Sequence, residues 1–146
     1  MTAPDIFVRN HQRKIPINVA DLQIFAGKAL RSCLQLRKQK PTDLDKLREV
    51  FVWLISDRRM ASLHRKFMHQ TGPTDVLTFQ HGEIFVSAET ARKNARRLGT
   101  SLVNELRLYV VHGFLHLHGF DDRTQCGARK MERAQQKILH NCGGDR

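Results

Sequence analysis

The sequence predicts an α+β fold in which a mixed four-stranded β-sheet is packed with about five helices. Two observations support this prediction. Short β-rich segments are interleaved with amphipathic helical segments along the chain, and two of the predicted strands are close enough in sequence to pair as a hairpin. The chain has 146 residues, which is the size of one ordinary domain, so we expect residues 1–146 to form a single domain.

The first half of the chain is predicted to contribute two strands and two helices. Residues 6–8 are a short β-rich run, and apolar residues recur every three or four positions over residues 19–36, which is typical of an amphipathic helix. Residues 49–55 form a nearly continuous apolar run, which predicts a strand buried on both faces. Ser56 can cap the helix that follows, which we expect to extend to about Met68.

The second half is predicted to contain the hairpin and three helices. Residues 76–79 and 83–86 are two short strands separated by three residues. Ser87 begins a very basic helix that Gly99 ends. Ser101 begins the next helix, which we expect to end at Gly119, and a polar helix follows over residues 125–141.

The charge of the protein favours polyanionic partners. Lys and Arg number 25 against 14 acidic residues, giving a formal net charge of +11 and a pI near 10.3. This excess is typical of proteins that contact nucleic acid, ribosomes or acidic membrane surfaces, although a generally basic proteome would produce it as well. Charge alone therefore leaves the choice of partner open.

Cysteine usage and hydropathy predict a cytoplasmic protein. The three cysteines are odd in number and form no CxxC pair, which argues against a disulfide framework and for a reducing compartment. The first residues lack the pattern of a signal peptide, and no apolar run approaches the roughly 20 residues that a membrane-spanning helix needs. We expect no membrane partner.

The segment HGFLHLHGFDD, residues 112–122, predicts a metal site at the end of a helix. His112 and His116 are four residues apart, so both imidazoles project from the same helix face. Gly119 can adopt the left-handed conformation that ends a helix, after which Asp122 can supply a third ligand. Two histidines and one carboxylate leave a position open for water, which is the arrangement of a catalytic zinc ion. We expect one Zn²⁺, with another divalent metal as the alternative.

Other residues around this segment are assigned weaker roles. His118 lies two residues beyond His116 and is expected to face away from the pair. Asp121 and Glu105 are candidates for a supporting role next to a ligand histidine, and the alternative for both is a purely structural role. No catalytic residue is assigned beyond the metal site.

The spacing HxxxHxxGxxD also matches metzincin peptidases. Those enzymes carry a glutamate directly after the first histidine, which serves as the general base, whereas this sequence has Gly113 there. Glu105 is the nearest acidic alternative on the same helix face, about 10 Å away along the axis. A metallopeptidase is therefore the weaker reading of the motif.

Three segments resemble the YbeY family of rRNA-maturation endoribonucleases, and the similarity extends over about residues 5–140. Residues 112–122 resemble the family signature HGxLHLxGYDH, residues 73–79 (PTDVLTF) resemble its PTDVLSF segment, and residues 82–87 resemble its GDI-type strand. The resemblance implies a mixed sheet with surrounding helices and a zinc ion held by three side chains in a positively charged cleft. It also implies cleavage of single-stranded RNA, maturation of the 3′ end of small-subunit rRNA, and ribosome quality control.

Two positions depart from the family pattern. Asp122 stands where the family usually has histidine, and a carboxylate is a competent zinc ligand that adds a negative charge. Met68 stands where the family has an arginine that faces the substrate, and methionine cannot neutralise a phosphate. Arg65, Lys66 or His69 are the nearby residues that can supply that charge.

The main functional hypothesis is a zinc-dependent endoribonuclease of rRNA, with the small ribosomal subunit as a partner and no DNA expected. Backbone contacts are assigned to exposed basic side chains, namely Arg65, Lys66, Arg92, Arg96 and Arg97. The alternatives are a non-catalytic ribosome-assembly or RNA-binding factor and, second, a metzincin-like metallopeptidase.

Overall fold

A computed structural model describes residues 3–72 and 74–143, so Pro73 of the PTDVLTF segment lies outside the described residues. The described residues form four strands and six helices. In chain order these are β1 (Asp5–Asn10), α1 (Val19–Leu34), α2 (Asp43–Lys46), β2 (Glu49–Ile55), α3 (Asp57–Met68), β3 (Val76–Phe79), β4 (Glu83–Ser87), α4 (Ala88–Leu98), α5 (Leu102–Leu117) and α6 (Gln125–Cys142).

The four strands form one mixed sheet in the order β1-β2-β4-β3. Strands β1, β2 and β4 are parallel, and β3 runs antiparallel to β4, which confirms the predicted mixed sheet and hairpin. Gly82 turns the hairpin with φ of 104°, and a Cβ atom there would lie 2.7 Å from the carbonyl oxygen of Glu49. Only glycine fits both the conformation and the space at this turn.

One face of the sheet carries the main hydrophobic core. Alternate residues of the strands point into it, because side chains of a strand alternate between the two faces. Helices α1 and α5 pack over this face, and α4 and α6 pack against α5. The large buried side chains of this core include Leu30, Leu54, Ile84, Phe25, Phe114 and Leu115.

The opposite face of the sheet is covered only in part, so the prediction that residues 49–55 are buried on both faces is wrong. Val50, Val52 and Leu54 are fully buried, whereas Phe51 and Trp53 between them are partly exposed. The prediction failed because aromatic residues are apolar whether they lie in a core or on an open sheet face, so the sequence alone does not distinguish the two positions. Helix α3 covers the β4 side of this face through a small second cluster built on Ile55, Met60 and Leu77.

Helix α5 crosses the sheet at very short range, and a glycine makes this approach fit. A Cβ atom on Gly113 would lie 2.8 Å from two carbon atoms of Ile84 in β4. A side chain at position 113 would therefore require Ile84 or the helix itself to shift. This contact sets the depth at which the neighbouring His112 lies.

The end of α5 has the geometry that the sequence predicted. Gly119 is left-handed with φ of 87°, and the Phe120 N–H donates to the Leu115 carbonyl at 2.9 Å. These are the features of a glycine-terminated helix, and they turn the chain back toward the helix. None of the helices in residues 3–72 and 74–143 is long and apolar enough to cross a membrane.

The short helix α2 was missed by the sequence analysis. Thr42 caps it by accepting from the Asp45 backbone N–H at 3.4 Å, and the Asp45 carboxylate accepts in return from the Thr42 N–H at 2.8 Å. This reciprocal pair is a capping box. The helix has four residues and one buried side chain, Leu44, so it leaves no periodic pattern in the sequence.

Candidate metal centre

The last two turns of α5 and the loop after it bring three side chains to one point. The Nε2 atoms of His112 and His116 are 3.0 Å apart, and Oδ2 of Asp122 is 3.9 Å from Nε2 of His112. All three donor atoms lie within 4.8 Å of one another. Two nitrogens at zinc distances of about 2.0–2.1 Å in tetrahedral geometry lie about 3.3 Å apart, so the donor set fits a metal of this kind.

The orientation of His112 is set by a glutamine that the sequence analysis missed. Nδ1 of His112 is 2.6 Å from Oε1 of Gln135, a buried residue of α6. The Gln135 amide nitrogen donates to Glu132 at 3.2 Å, which fixes the carbonyl oxygen toward the histidine. An amide oxygen can only accept, so Nδ1 carries the proton and Nε2 keeps its lone pair for a ligand.

A signal for Gln135 was present in the sequence. The buried stripe of α6 runs through Met131, Ala134 and Ile138, and Gln135 lies four residues after Met131 on the same stripe. A polar residue on an apolar stripe needs a buried hydrogen-bond partner. That partner is the histidine.

The electrostatics of the cluster favour the neutral form of His116. Burial, followed by the proximity of His112, lowers the pKa of His116, while Asp122 opposes this shift. A neutral imidazole at neutral pH offers a lone pair, which is the form that binds metal. Asp122 is about half exposed, with 48% of its side-chain surface accessible, so the cluster is open to solvent on the side of the loop.

His118 points away from the cluster, as its spacing predicted. It is buried, and its Nε2–H donates to the Leu36 carbonyl at 2.7 Å. Its Nδ1 lies 2.9 Å from the Thr42 hydroxyl. Both ring nitrogens are therefore used to hold the end of α5 against the segment that leads into α2.

The two carboxylates that were candidates for a supporting role have other partners. Asp121 accepts from the Arg123 backbone and forms an ion pair with its guanidinium at 2.5 Å. Glu105 is buried beside Tyr109, and burial of that phenol together with its hydrogen bond to Glu105 raises the pKa of Tyr109. Among the described residues, neither carboxylate hydrogen-bonds to a histidine of the cluster, and Gln135 holds His112 instead.

A groove of about 340 Å³ opens at the histidines, between the end of α5 and strand β3. Met68 lines it, so the position that departs from the family pattern faces the same space as His112 and His116. The remaining lining residues come mainly from the hairpin, namely Val76, Leu77, Thr78, Phe79 and Gln80, together with Asp43 of α2 and Leu117 of α5.

The five basic residues expected to contact RNA are exposed and lie outside this lining. Arg65 and Lys66 are in the last turn of α3, one turn or less from Met68. Arg92, Arg96 and Arg97 are exposed on α4. The groove itself therefore combines metal-ligand side chains with apolar and uncharged polar residues and one carboxylate, Asp43, and none of these five basic residues lines it.

A basic α+β domain with two histidines and a carboxylate open to a groove belongs to the class of proteins that can carry a catalytic metal. The sequence profile of the family described as Endoribonuclease YbeY matches residues 7–143. The chain belongs to the YbeY endoribonuclease family.

Individual relatives agree with this assignment. The chain is 36% identical to Endoribonuclease YbeY of Moorella thermoacetica, with 65% of this chain and 73% of that protein covered. It is 35% identical to Endoribonuclease YbeY of a Synechococcus species, with 81% and 77% covered. A Thermotoga maritima protein solved in solution has the same fold, with a TM-score of 0.63, 24% identity, and 93% and 90% of the two chains covered.

Proposed function

We propose that this chain is a single-domain, zinc-dependent endoribonuclease that cleaves single-stranded RNA at the groove beside His112, His116 and Asp122. The observation that carries the proposal is the convergence of three ligand atoms within 4.8 Å, with His112 held in the ligating tautomer by Gln135. Membership of a family whose relatives are named endoribonucleases supplies the substrate class.

His112 and His116 would hold the zinc ion through Nε2, and Asp122 through a carboxylate oxygen. When bound, such an ion supplies a Lewis acid for a phosphoryl oxygen and lowers the pKa of a coordinated water. Asp122 brings a negative charge where the family usually has a neutral histidine, so it favours ions that prefer oxygen ligands more than a third imidazole would. Its exposure leaves room for the scissile phosphate beside it.

The groove residues of this chain would position RNA by packing rather than by charge. Met68 offers an apolar, polarisable surface beside the histidines, where a base or ribose can pack. The phosphates are neutralised outside the groove by Arg65, Lys66 and the basic face of α4, which hold the backbone without reading sequence.

We further propose that the RNA is rRNA of the small ribosomal subunit, with 3′-end maturation and ribosome quality control as the processes served, in the cytoplasm. The net charge of +11 fits a polyanionic partner of this size. DNA and membranes are not expected as partners.

One other function is favoured by a specific observation. Met68 removes a cation from the groove, which would suit a ribosome-assembly factor that binds RNA without cutting it. A metallopeptidase is disfavoured, because Ile84 fills the space that a glutamate at position 113 would need.

The test is a cleavage assay with a single-stranded rRNA fragment and, in parallel, casein. We expect RNA cutting that EDTA and His116→Ala abolish, while His140→Ala, which alters an exposed histidine of α6, leaves it unchanged. Metal analysis of the same preparations should find about one zinc per chain in the parent protein and in His140→Ala. Ribosome binding without RNA cutting by the parent would overturn the nuclease proposal, and EDTA-sensitive casein cutting would replace it with a peptidase.

A further inference from the structure

The partly covered face of the sheet carries a row of aromatic side chains that the metal centre does not use. We call it the aromatic face and define it by Phe7, Phe51, Trp53 and Phe85. Phe7 lies opposite Phe51 in β1 and β2, with ring centroids 5.1 Å apart, and Trp53 lies opposite Phe85 in β2 and β4 at 6.5 Å. Phe51 and Trp53 are nearly parallel at 5.4 Å. The four rings form one continuous row across three strands.

This row is only partly explained by packing within the chain. Trp53 and Phe85 contact the small cluster beneath α3, but in the described residues Phe7 and Phe51 pack against neither buried cluster. All four rings remain partly exposed. A contiguous apolar patch on a chain this rich in charge indicates a surface that binds something.

Two arginines lie on this face near Trp53. Arg9 lies opposite Trp53 in the β1–β2 register, and its guanidinium lies 5.1 Å from the centroid of the Phe7 ring. The His11 ring contacts Trp53 edge-on at 4.8 Å, and Arg59 lines the same side of the face. Cations interleaved with aromatic rings are what a flexible polyanion with planar bases requires.

Around Trp53 the two arginines face one carboxylate, Glu83, and the other two acidic residues of the face lie further away. Glu83 is engaged twice, since it accepts from the Trp53 indole N–H at 2.9 Å and pairs with His81 at 2.6 Å. Asp5 and Glu49 lie opposite each other at the far end of β1 and β2, away from Arg59. The two arginines of the face therefore lie near Trp53, at the opposite end of the strands from Asp5 and Glu49.

A cleft of about 140 Å³ lies beside the Trp53 ring, which is space for one planar base. The other residues that line it are His11, Ile55, Arg59, Phe85 and Glu83, whose carboxylate accepts from the Trp53 indole N–H. We propose that the aromatic face is a second surface for single-stranded RNA, on which bases stack along the row, one base enters the Trp53 cleft, and Arg9 and Arg59 contact phosphates. Stacking on aromatic side chains tolerates any base, so this surface would bind without sequence preference.

The aromatic face adjoins the metal groove through one side chain. Phe79 packs edge-on against Phe85 at 5.7 Å and also lines the groove beside His112 and His116. One RNA strand lying on the aromatic face would thus be held next to the groove. The surface binds RNA and does not cut it, so its test is separate from that of the metal centre.

The position of Trp53 makes the proposal testable by fluorescence, because it is the one tryptophan in the sequence. We would titrate the protein in EDTA with a short oligouridylate, following Trp53 emission and the anisotropy of a labelled oligonucleotide. We expect RNA to quench Trp53. Phe51→Leu should weaken binding about five-fold or more, the lower end of what one lost base–aromatic stack costs, while Phe51→Tyr should retain it.

Matched controls separate this surface from packing and from the metal site. Ile24→Ala removes an exposed apolar side chain of α1, which packs on the other face of the sheet, and should bind like the parent. His140→Ala alters an exposed histidine of α6 outside the metal groove and should also bind like the parent, while EDTA keeps the metal centre out of the measurement. Leucine preserves apolar volume, so a loss of binding specific to Phe51→Leu reports stacking.

Three outcomes would overturn the proposal. The first is RNA binding by anisotropy with no change in Trp53 emission. The second is equal affinity of the parent, Phe51→Leu and a matching Phe7→Leu variant. The third is a dimer in sedimentation velocity that Phe51→Leu dissociates, because the face would then be covered by a second copy of the chain. If both leucine variants still cleave RNA and bind it with unaltered affinity, this proposal is contradicted. The endoribonuclease proposal would be unaffected by that result.

Discussion

The two sides of the C-terminal end of α5 carry histidines in opposite situations. On one side, His118 is buried and both ring nitrogens have partners within the chain, Leu36 and Thr42. On the other side, His112 and His116 direct their Nε2 atoms at each other and at an exposed carboxylate. The comparison teaches that a histidine with both nitrogens used by the fold is structural, whereas one with a nitrogen aimed at other donor atoms is available for a ligand.

The largest expected effect comes from removing one histidine of the cluster. His116→Ala should weaken zinc binding by more than about 100-fold, because loss of a direct ligand exceeds the roughly 10–100-fold effect of losing an outer hydrogen bond. Competition with a chelating dye would measure the affinity, and circular dichroism would check the fold. Unchanged zinc affinity in a folded variant would show that the metal binds elsewhere, and the contrast between the two sides of α5 would then fail.

Substitution of His118 on the opposite side should lower the stability of the fold rather than its affinity for zinc. His118→Ala leaves the Leu36 carbonyl without its donor and opens a cavity, so we expect a loss of about 2–4 kcal/mol in the free energy of unfolding. Urea denaturation would measure it, with the exposed His140→Ala as a control that should change stability by less than about 0.5 kcal/mol. A His118 variant with parental stability that fails to bind zinc would reverse the two roles.

Gln135 extends the comparison between the two sides, because it holds the ligand histidine His112 without being a ligand itself. Gln135→Leu should weaken zinc binding about 10- to 100-fold, since His112 then loses the acceptor that fixes its tautomer and orientation. Gln136→Leu is the matched control, because the neighbouring Gln136 also donates to Glu132 but is exposed and touches neither histidine. Equal affinities of the two variants would show that the Gln135 contact does not tune the site.

The smallest expected effect is a pH dependence on the His118 side. The hydrogen bond from the Thr42 backbone N–H outweighs partial burial and, with the Thr42 hydroxyl and His118, holds the pKa of Asp45 below its usual value of 3.8. A carboxylate with a lower pKa in the folded state stabilises the fold above the unfolded value, and this contribution is lost as pH falls through the folded pKa. Asp45→Asn should therefore cost a few tenths of a kcal/mol at neutral pH, since the group is largely solvated.

The same variant should show no deficit at low pH. Urea denaturation of the parent and of Asp45→Asn at pH 7 and at a series of pH values below 3.8 would test this, because the two proteins should converge as the parent carboxylate becomes protonated. A difference that stays constant with pH would mean that the Asp45 charge contributes nothing and that the substitution acts through the cap alone.

Local patterns in the sequence predicted much of this molecule. The hairpin, the glycine that ends α5 and the direction of His118 all depend on spacings of a few residues, which chain stereochemistry converts directly into geometry. The convergence of His112 and His116 has the same origin. These features needed no knowledge of distant contacts.

What the sequence analysis missed depends on neighbours far along the chain. Gln135 is 23 residues from His112 and meets it only because α6 packs against α5. The partial exposure of Phe51 and Trp53 depends on which face of the sheet the helices cover. Helix α2 exists because Thr42 and Asp45 cap each other, and it is too short to produce a periodic pattern.

The contact between Gly113 and Ile84 also limits which catalytic activities this fold could acquire by mutation. A peptidase of the HExxH type needs a glutamate at position 113, which a single substitution would supply. The Cβ atom of that glutamate would lie 2.8 Å from atoms of the Ile84 side chain. Laboratory selection for proteolysis would have to move or shorten the Ile84 side chain at the same time as it gains the acid. The chain is thus separated from peptidase chemistry by a packing contact as well as by the missing glutamate.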